Sequence, residues 1–301
     1  MPLAPVGAPG RVAVWIGAIR PRTLPAAVGP VAAGGGLAWD AGGFVLLPFV
    51  AAMLGALLLQ VGVNLANDYS DFARGADTSD RIGPRRAVVS ELLSPGAVKA
   101  GAAVAFALAV AVGVYLALRG GWPIVAVGSG AILAAVTYTG GPWPYGYRGF
   151  GDLSVFLFFG PVAVAGTAYA VTLTWPPGAI VAGAGVGALN AAILVINNLR
   201  DLGTDAAAGK RTLAVILGPA RTRVQYTALL GLAGAVALVG PLTGLLPAGA
   251  GLALAAVAPC LNPLRTVWGF QDPRELNPAL GKTAAAAGAY GLLLGAGTAI
   301  W

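Results

Sequence analysis

Histidine is absent from the 301 residues, cysteine occurs once, and charged residues make up only 10% of the chain. Without histidine there is no Ser-His-Asp triad, no imidazole general base and no His-ligated zinc or haem. Cys260 alone allows no internal disulfide, and in its apolar surroundings it reads as a small packing residue. Chemistry in this chain therefore falls to carboxylates, amides, Tyr, Lys and Arg. Charge is scarce against the roughly 25% usual in soluble domains. It accompanies 57% hydrophobic residues and a mean hydropathy of +0.80, so an integral membrane protein is expected. No small-residue cleavage site follows a short apolar core, and the N-terminus is expected to stay attached. The 46 glycines suit a tightly packed bundle, because small residues let helix backbones approach closely in lipid.

Nine apolar stretches, at about 24–39, 44–66, 96–118, 122–139, 152–174, 177–198, 222–245, 247–264 and 281–301, approach the roughly 20 residues that a bilayer requires. They predict a single all-α domain over 1–301: nine transmembrane helices around a central cavity that opens near the cytoplasmic side. The connections alternate between long polar ones (67–95, 140–151, 199–221, 265–280) and very short ones. If the N-terminal arm shares a side with the long loops, that side receives 17 of the 18 Lys and Arg residues, with only Arg119 opposite. The positive-inside rule then places the arm and long loops in the cytoplasm and the C-terminus outside, in the plasma membrane. A net charge of +7 thus describes a basic cytoplasmic face that attracts phosphorylated or acidic ligands, not a nucleic-acid surface.

The polar run NLANDYSDFARGADTSDRIGPRR, Asn64 to Arg86, follows directly on the second apolar stretch. If the helix continues through it, Asn64, Asp68 and Asp71 stand at i, i+4 and i+7 on one face. Asn67 lies beside them. Oxygen ligands so grouped suit a hard divalent cation such as Mg2+, whose remaining positions go to water and phosphate. Arg74, Arg81, Arg85 and Arg86 add donors for phosphate oxygens. The alternative is a solvated charged loop, against which stands the placing of ionisable residues at the end of a spanning helix. The sixth stretch ends in a second such run, LVINNLRDLGTDAAAGKRTLAV, with Asn197, Asp201 and Asp205 at i, i+4 and i+8 and with Lys210 and Arg211 behind them. Two carboxylate faces at one cavity mouth would hold metal ions around a diphosphate, while Lys and Arg neutralise its outer oxygens.

The segments IRPRTLPAAVGP, NLANDYSDFARGAD, RIGPRR, YTGGPWPYGYRGFGD and NNLRDLGTDAAAGKRTLAVILGP together resemble the UbiA-type superfamily of intramembrane aromatic prenyltransferases. Within it they are most similar to the branch that prenylates 1,4-dihydroxy-2-naphthoate in menaquinone synthesis. The likeness runs to about residue 220, and Asp152 stands where Glu is expected in relatives. The resemblance implies a polyprenyl diphosphate donor, Mg2+, and an acceptor whose carboxylate is lost on prenylation. It also implies metal roles for Asp68, Asp71, Asp201 and Asp205, with Asn64, Asn67 and Asn197 completing or orienting the coordination. Lys210, Arg211 and Arg81 are the candidates for diphosphate oxygens.

In the loop YTGGPWPYGYRG, Tyr138 is placed to face a cation or the acceptor, and Arg148 to hold a carboxylate or phosphate; an interfacial aromatic belt is the other reading. Arg20 and Arg22 either bind the acceptor carboxylate or serve only as topology signals. Asp272 and Glu275 are expected to form a solvated cluster. Other acceptors, 4-hydroxybenzoate or homogentisate among them, remain open within the superfamily. A secondary transporter would need ionisable residues at mid-span, and here the span middles are almost uncharged.

Overall fold

The computed structural model describes residues 10–75, 82–83 and 86–300, and every regular element among them is helical. A short helix α1 (Arg11–Ile19) leads into α2 (Pro25–Asp40), α3 (Leu46–Ala73), α4 (Pro95–Gly120) and α5 (Trp122–Thr139). There follow α6 (Gly151–Phe158) and α7 (Pro161–Thr172), α8 (Ala179–Arg200), α9 (Leu202–Ala207), α10 (Leu213–Leu242), the short α11 (Leu254–Val257) and α12 (Leu261–Gly269), and finally α13 (Leu276–Ile300). Eight helical stretches are long and apolar enough to cross a membrane: Leu46–Ala73, Pro95–Gly120, Trp122–Thr139, Gly151–Thr172, Ala179–Arg200, Leu213–Leu242, Ala248–Gly269 and Pro273–Ile300. The stretch expected as the first span, 24–39, forms α2. Its 16 residues give about 24 Å at 1.5 Å per residue, so it falls short of those eight.

Helix ends depart from the apolar boundaries for local reasons. α3 runs on through Asn64, Asp68 and Asp71 to Ala73, because these polar side chains are buried and partnered rather than solvated. α10 starts at Leu213 rather than near 222, since Thr212 caps it by accepting from the Val215 N–H, and its axis then kinks at Gly218 (φ 74°) ahead of Pro219. Asp272, Arg274 and Glu275 are exposed, as expected of a solvated charge cluster, with Arg274 Nη1 3.4 Å from Asp272, and Asp272 and Glu275 also form a capping box that opens the last helical stretch.

Packing places α13 against α2, α10 against α8 and α3 against α4. α8 lies at the centre, with Val186, Leu189, Val195 and Ile196 without exposure. α2 and α13 touch backbone to backbone: a Cβ on Gly291 would strike the Gly29 backbone, and one on Gly36 would strike the Gly295 carbonyl. Residues of α2, α3, α4, α5, α6 and α7, with Leu194 of α8, line a cavity of about 600 Å³ with mostly apolar walls. Of its polar lining, Asn67, Tyr138, Tyr145 and Ser154 lie where α3 and α5 end and α6 begins, while Gln60, Asn64, Ser129 and Thr167 lie farther along the walls. The four long connections meet at that same end. The Arg211 N–H donates to the Tyr147 carbonyl (2.9 Å), Arg200 donates to Asn277 Oδ1 (2.9 Å), and the Asn277 amide donates to the Ile82 carbonyl (3.4 Å).

Because overpacking a close contact costs typically about 1–3 kcal/mol, Gly291→Leu should lower the thermal midpoint in detergent by several degrees. The same change at Gly231, whose Cβ would meet open space, should leave it nearly unchanged.

Candidate active site

α3 is unbroken to Ala73, so Asn64, Asp68 and Asp71 share one buried face, at 4%, 1% and 2% exposure. Their partners divide the face in two. The Asn64 amide donates to the Ile19 carbonyl (2.8 Å) and Thr23 Oγ1 (3.0 Å), which fastens the N-terminal arm to α3 instead of facing the carboxylates. Asp68 Oδ2 accepts from the Ala87 N–H (3.2 Å) and holds the returning end of the first long loop. Asp71 is met by Arg86 Nη2 at 2.6 Å, by Lys210 Nζ at 3.6 Å and by the Tyr147 hydroxyl, which donates to it. Burial, reinforced by the Asp71 carboxylate, pushes the Tyr147 phenol above the ordinary tyrosine range, so it stays protonated and remains a donor. Arg86 also donates to the Asn67 carbonyl (2.7 Å), and Thr139 Oγ1 donates to Asn67 Oδ1 (2.7 Å).

The second acidic run is built differently. α8 ends at Arg200, and Asp201 turns the chain into the short α9, so Asn197, Asp201 and Asp205 do not lie along one continuous helix. The break points Asp201 and Asp205 at different cations. Arg200, 2% exposed, grips Asp201 through two hydrogen bonds (2.7 and 2.6 Å) and also donates to Asn197 Oδ1 (2.8 Å). Asp205 Oδ1 faces Lys210 Nζ at 3.8 Å. Lys210 thereby bridges carboxylates from both acidic runs, and its ammonium lies 4.8 Å from the Tyr147 ring centroid.

Of the residues singled out in the sequence, Asp71, Asp205 and Lys210 are in one ion-pair network, Asp201 and Asn197 share Arg200, and Asn67 and Tyr138 line the adjoining cavity. Tyr138 stands edge-on to Tyr145, centroids 5.5 Å apart. Three basic candidates stay outside the network. Arg22 and Arg211 have exposed side chains, and Arg148, also exposed, lies over the Trp143 ring at 5.2 Å. Arg81, like Asp77, Asp80 and Arg85, lies outside the described residues. The sequence reading left Tyr147, Arg200, Thr139 and Asn277 without a role. Arg200 sits inside the NNLRD run and Tyr147 in the aromatic loop, where a signal existed; Asn277 joins from far along the chain and carried none.

Among the described residues no three carboxylates gather tightly enough to form a preformed metal cluster; Asp71 pairs with Arg86 and Lys210, Asp201 with Arg200, and Asp205 with Lys210. The donor set still fits a hard divalent cation. It consists of carboxylate and amide oxygens, and a protein cation already occupies the point between Asp71 and Asp205 where positive charge is favoured.

Comparison with known proteins bears on this arrangement. The UbiA prenyltransferase family model matches residues 27–286. A 1,4-dihydroxy-2-naphthoate octaprenyltransferase of Mycobacterium tuberculosis is 48% identical over 227 residues, 75% of this chain and 77% of that protein. The protein of the same name from Escherichia coli is 38% identical over 234 residues, 73% of each chain. A UbiA homolog from Archaeoglobus fulgidus solved with DMAPP and Mg2+ shares the fold with a TM-score of 0.65 at 15% identity, over 93% of this chain and 98% of that one.

Removing one partner of a buried ion pair costs about 3–5 kcal/mol. Arg200→Met should therefore lower the thermal midpoint strongly, and Asp201→Asn in the same background should recover part of the loss. Additive losses in this double-mutant cycle would show that the pair is not coupled.

Proposed function

Since the chain belongs to the UbiA prenyltransferase family, we propose that it transfers a polyprenyl group from polyprenyl diphosphate to 1,4-dihydroxy-2-naphthoate, with release of diphosphate and CO2, in menaquinone biosynthesis. One observation carries this reading. Lys210 bridges the two acidic runs beside the polar end of a 600 Å³ apolar cavity. That juxtaposition suits a ligand that is a diphosphate at one end and a hydrocarbon at the other. The naphthoate enzymes of Mycobacterium and Escherichia described above support the choice of acceptor.

When bound, a divalent cation such as Mg2+ held by Asp68, Asp71, Asp201 and Asp205 would neutralise the diphosphate oxygens as the allylic C–O bond breaks. Lys210 and Arg86, beside the same carboxylates, bind phosphate oxygens directly, with Arg81 and Arg211 as further donors. The C–O bonding pair leaves with the diphosphate. The ring of Tyr138, facing the cavity, offers its π face to the allylic cation. Apolar walls keep water away from that cation until the naphthoate ring supplies the electron pair of the new C–C bond. The carboxylate then departs as CO2 and returns its bonding pair to the ring. Arg22 and Arg148 are the candidates to hold that carboxylate on arrival.

The protein is a multi-pass membrane protein. We place it in the plasma membrane, with the N-terminus and the acidic loops cytoplasmic, the cavity opening to that side and the C-terminus outside. The short α2 is the ninth crossing. The alternation of basic residues supports this orientation. A cysteine introduced by Arg119→Cys should react with an impermeant maleimide outside intact cells, and one introduced by Ser94→Cys should not; the reverse pattern would invert the topology.

Purified protein in detergent with Mg2+ and a long-chain polyprenyl diphosphate should prenylate dihydroxynaphthoate with CO2 release. Asp68→Asn and Asp201→Asn should each lose at least about 100-fold in rate, the scale of removing one electrostatic stabiliser. Product from 4-hydroxybenzoate alone would replace the acceptor. No product from either would overturn the transferase reading.

A further inference from the structure

Tyr147 has no part in the chemistry proposed above, although it is the point where the aromatic loop meets both acidic runs. Its hydroxyl donates to Asp71 Oδ1, its ring centroid lies 4.8 Å from the Lys210 ammonium, and its carbonyl accepts from the Arg211 N–H (2.9 Å). The loop that carries it is fixed by the protein alone. Tyr145–Arg148 form a short 3-10 helix, and the Tyr147 N–H donates to the Pro144 carbonyl (3.1 Å). The Tyr145 hydroxyl donates to the Ala134 carbonyl on α5 (2.8 Å) and meets the Ser154 hydroxyl on α6 (2.8 Å). Gly146 lets the loop backbone lie against the end of α5, since a Cβ there would stand 2.8 Å from the Tyr138 carbonyl oxygen. The phenol is thus aimed at Asp71 by a turn anchored on both flanking helices and on the connection after α9.

Charge sets Tyr147 apart from the other groups at Asp71. Among the described residues, Arg86 and Lys210 meet the carboxylate as cations, whereas the phenol meets it as a neutral donor. With a divalent cation on Asp71, Arg86 and Lys210 would be repelled, and both have diphosphate oxygens as an alternative partner. An uncharged hydroxyl has no such reason to leave. A carboxylate oxygen accepts from a phenol while the same carboxylate ligates a metal, and hydrogen bonds of this kind orient ligands and tune their affinity. Resting on the metal roles proposed above, we propose that Tyr147 is a positioning residue, whose hydroxyl holds the Asp71 carboxylate in the orientation that receives the divalent cation. The loop after α5 then acts on the metal through Asp71, not by touching substrate.

The test is Mn2+ binding to the purified full-length protein, followed by electron paramagnetic resonance of the free ion, with saturating geranyl S-thiolodiphosphate as an unreactive donor analogue. Tyr147→Phe removes one oxygen and keeps the ring that faces Lys210. The Kd for Mn2+ should rise about 10- to 100-fold, the loss typical of removing an outer partner of a metal ligand. The Mg2+ concentration for half-maximal rate should rise in parallel, while KM for dihydroxynaphthoate at saturating Mg2+ stays unchanged. Placing 4-aminophenylalanine at position 147 restores a donor and should recover most of the affinity. Unchanged Mn2+ affinity in Tyr147→Phe overturns the proposal. So does a purely structural pattern, in which metal and acceptor constants shift together and the 4-amino ring recovers nothing. Should Tyr147→Phe not fold, 4-aminophenylalanine and 4-methylphenylalanine at the same position fill the space of the phenol with and without a donor. Equal Mn2+ affinity of those two then overturns the proposal, and binding about 10-fold tighter with the donor supports it. Failure of the wild type to bind Mn2+ under these conditions would overturn the metal-assisted reaction, and this inference with it. Product from another acceptor would replace the acceptor alone and leave the Mn2+ comparison decisive.

Discussion

Asp71 is a carboxylate with 2% exposure at the end of a membrane-crossing helix, and keeping it charged there requires partners. Burial of an unpaired carboxylate is penalised by several kcal/mol even after relaxation. Among the described residues, three groups that meet it come from three separate connections: Arg86 from the loop after α3, Tyr147 from the loop after α5, and Lys210 from the loop after α9. Stabilising one carboxylate therefore draws three loops to one point. The fourth long connection is tied in through Asn277, which takes a hydrogen bond from Arg200 and gives one to the Ile82 carbonyl. A charged cluster that looks optional in the sequence is in this way the clamp that closes one end of the bundle.

The two acidic runs look like copies in the sequence, yet they solve different local problems. The first is carried by an unbroken helix on which Asn64, Asp68 and Asp71 each have protein partners. The second straddles a helix break at Asp201, where Arg200 is held between its neighbour's carboxylate, Asn197 and Asn277. The break turns Asp205 toward Lys210, and Lys210 toward Asp71. The two runs thus reach one network through unequal geometry, and among the described residues Lys210 is where they meet.

Behind the clamp, the cavity divides the labour between two kinds of wall. Small residues on α2 and α13 let those helices touch backbone to backbone, which closes the bundle behind the cavity without bulky side chains filling it. Among the polar groups of the wall, Asn67, Tyr138, Tyr145 and Ser154 lie toward the clamped end, which suits a ligand with one charged end and a long apolar remainder. Gln60 belongs to this wall and not to the charged cluster.

Several features were fixed by the chain itself. Lipid demands about 20 apolar residues per crossing, so hydropathy alone located eight of the stretches long enough to span, and the helical period put Asn64, Asp68 and Asp71 on one face before any packing was known. The residue types of the two acidic runs likewise announced oxygen ligands beside phosphate-binding cations. Tertiary structure decided what period and hydropathy do not encode. It broke the second acidic run at Asp201, turned Arg148 outward onto Trp143, left Arg22 and Arg211 exposed, and brought Asn277 to Arg200 across 77 residues of chain. The physical reason is that a buried charge selects its partner by proximity in space. Sequence spacing reports proximity only within one helix, whereas Asp71, Lys210 and Tyr147 come together only after the loops have closed.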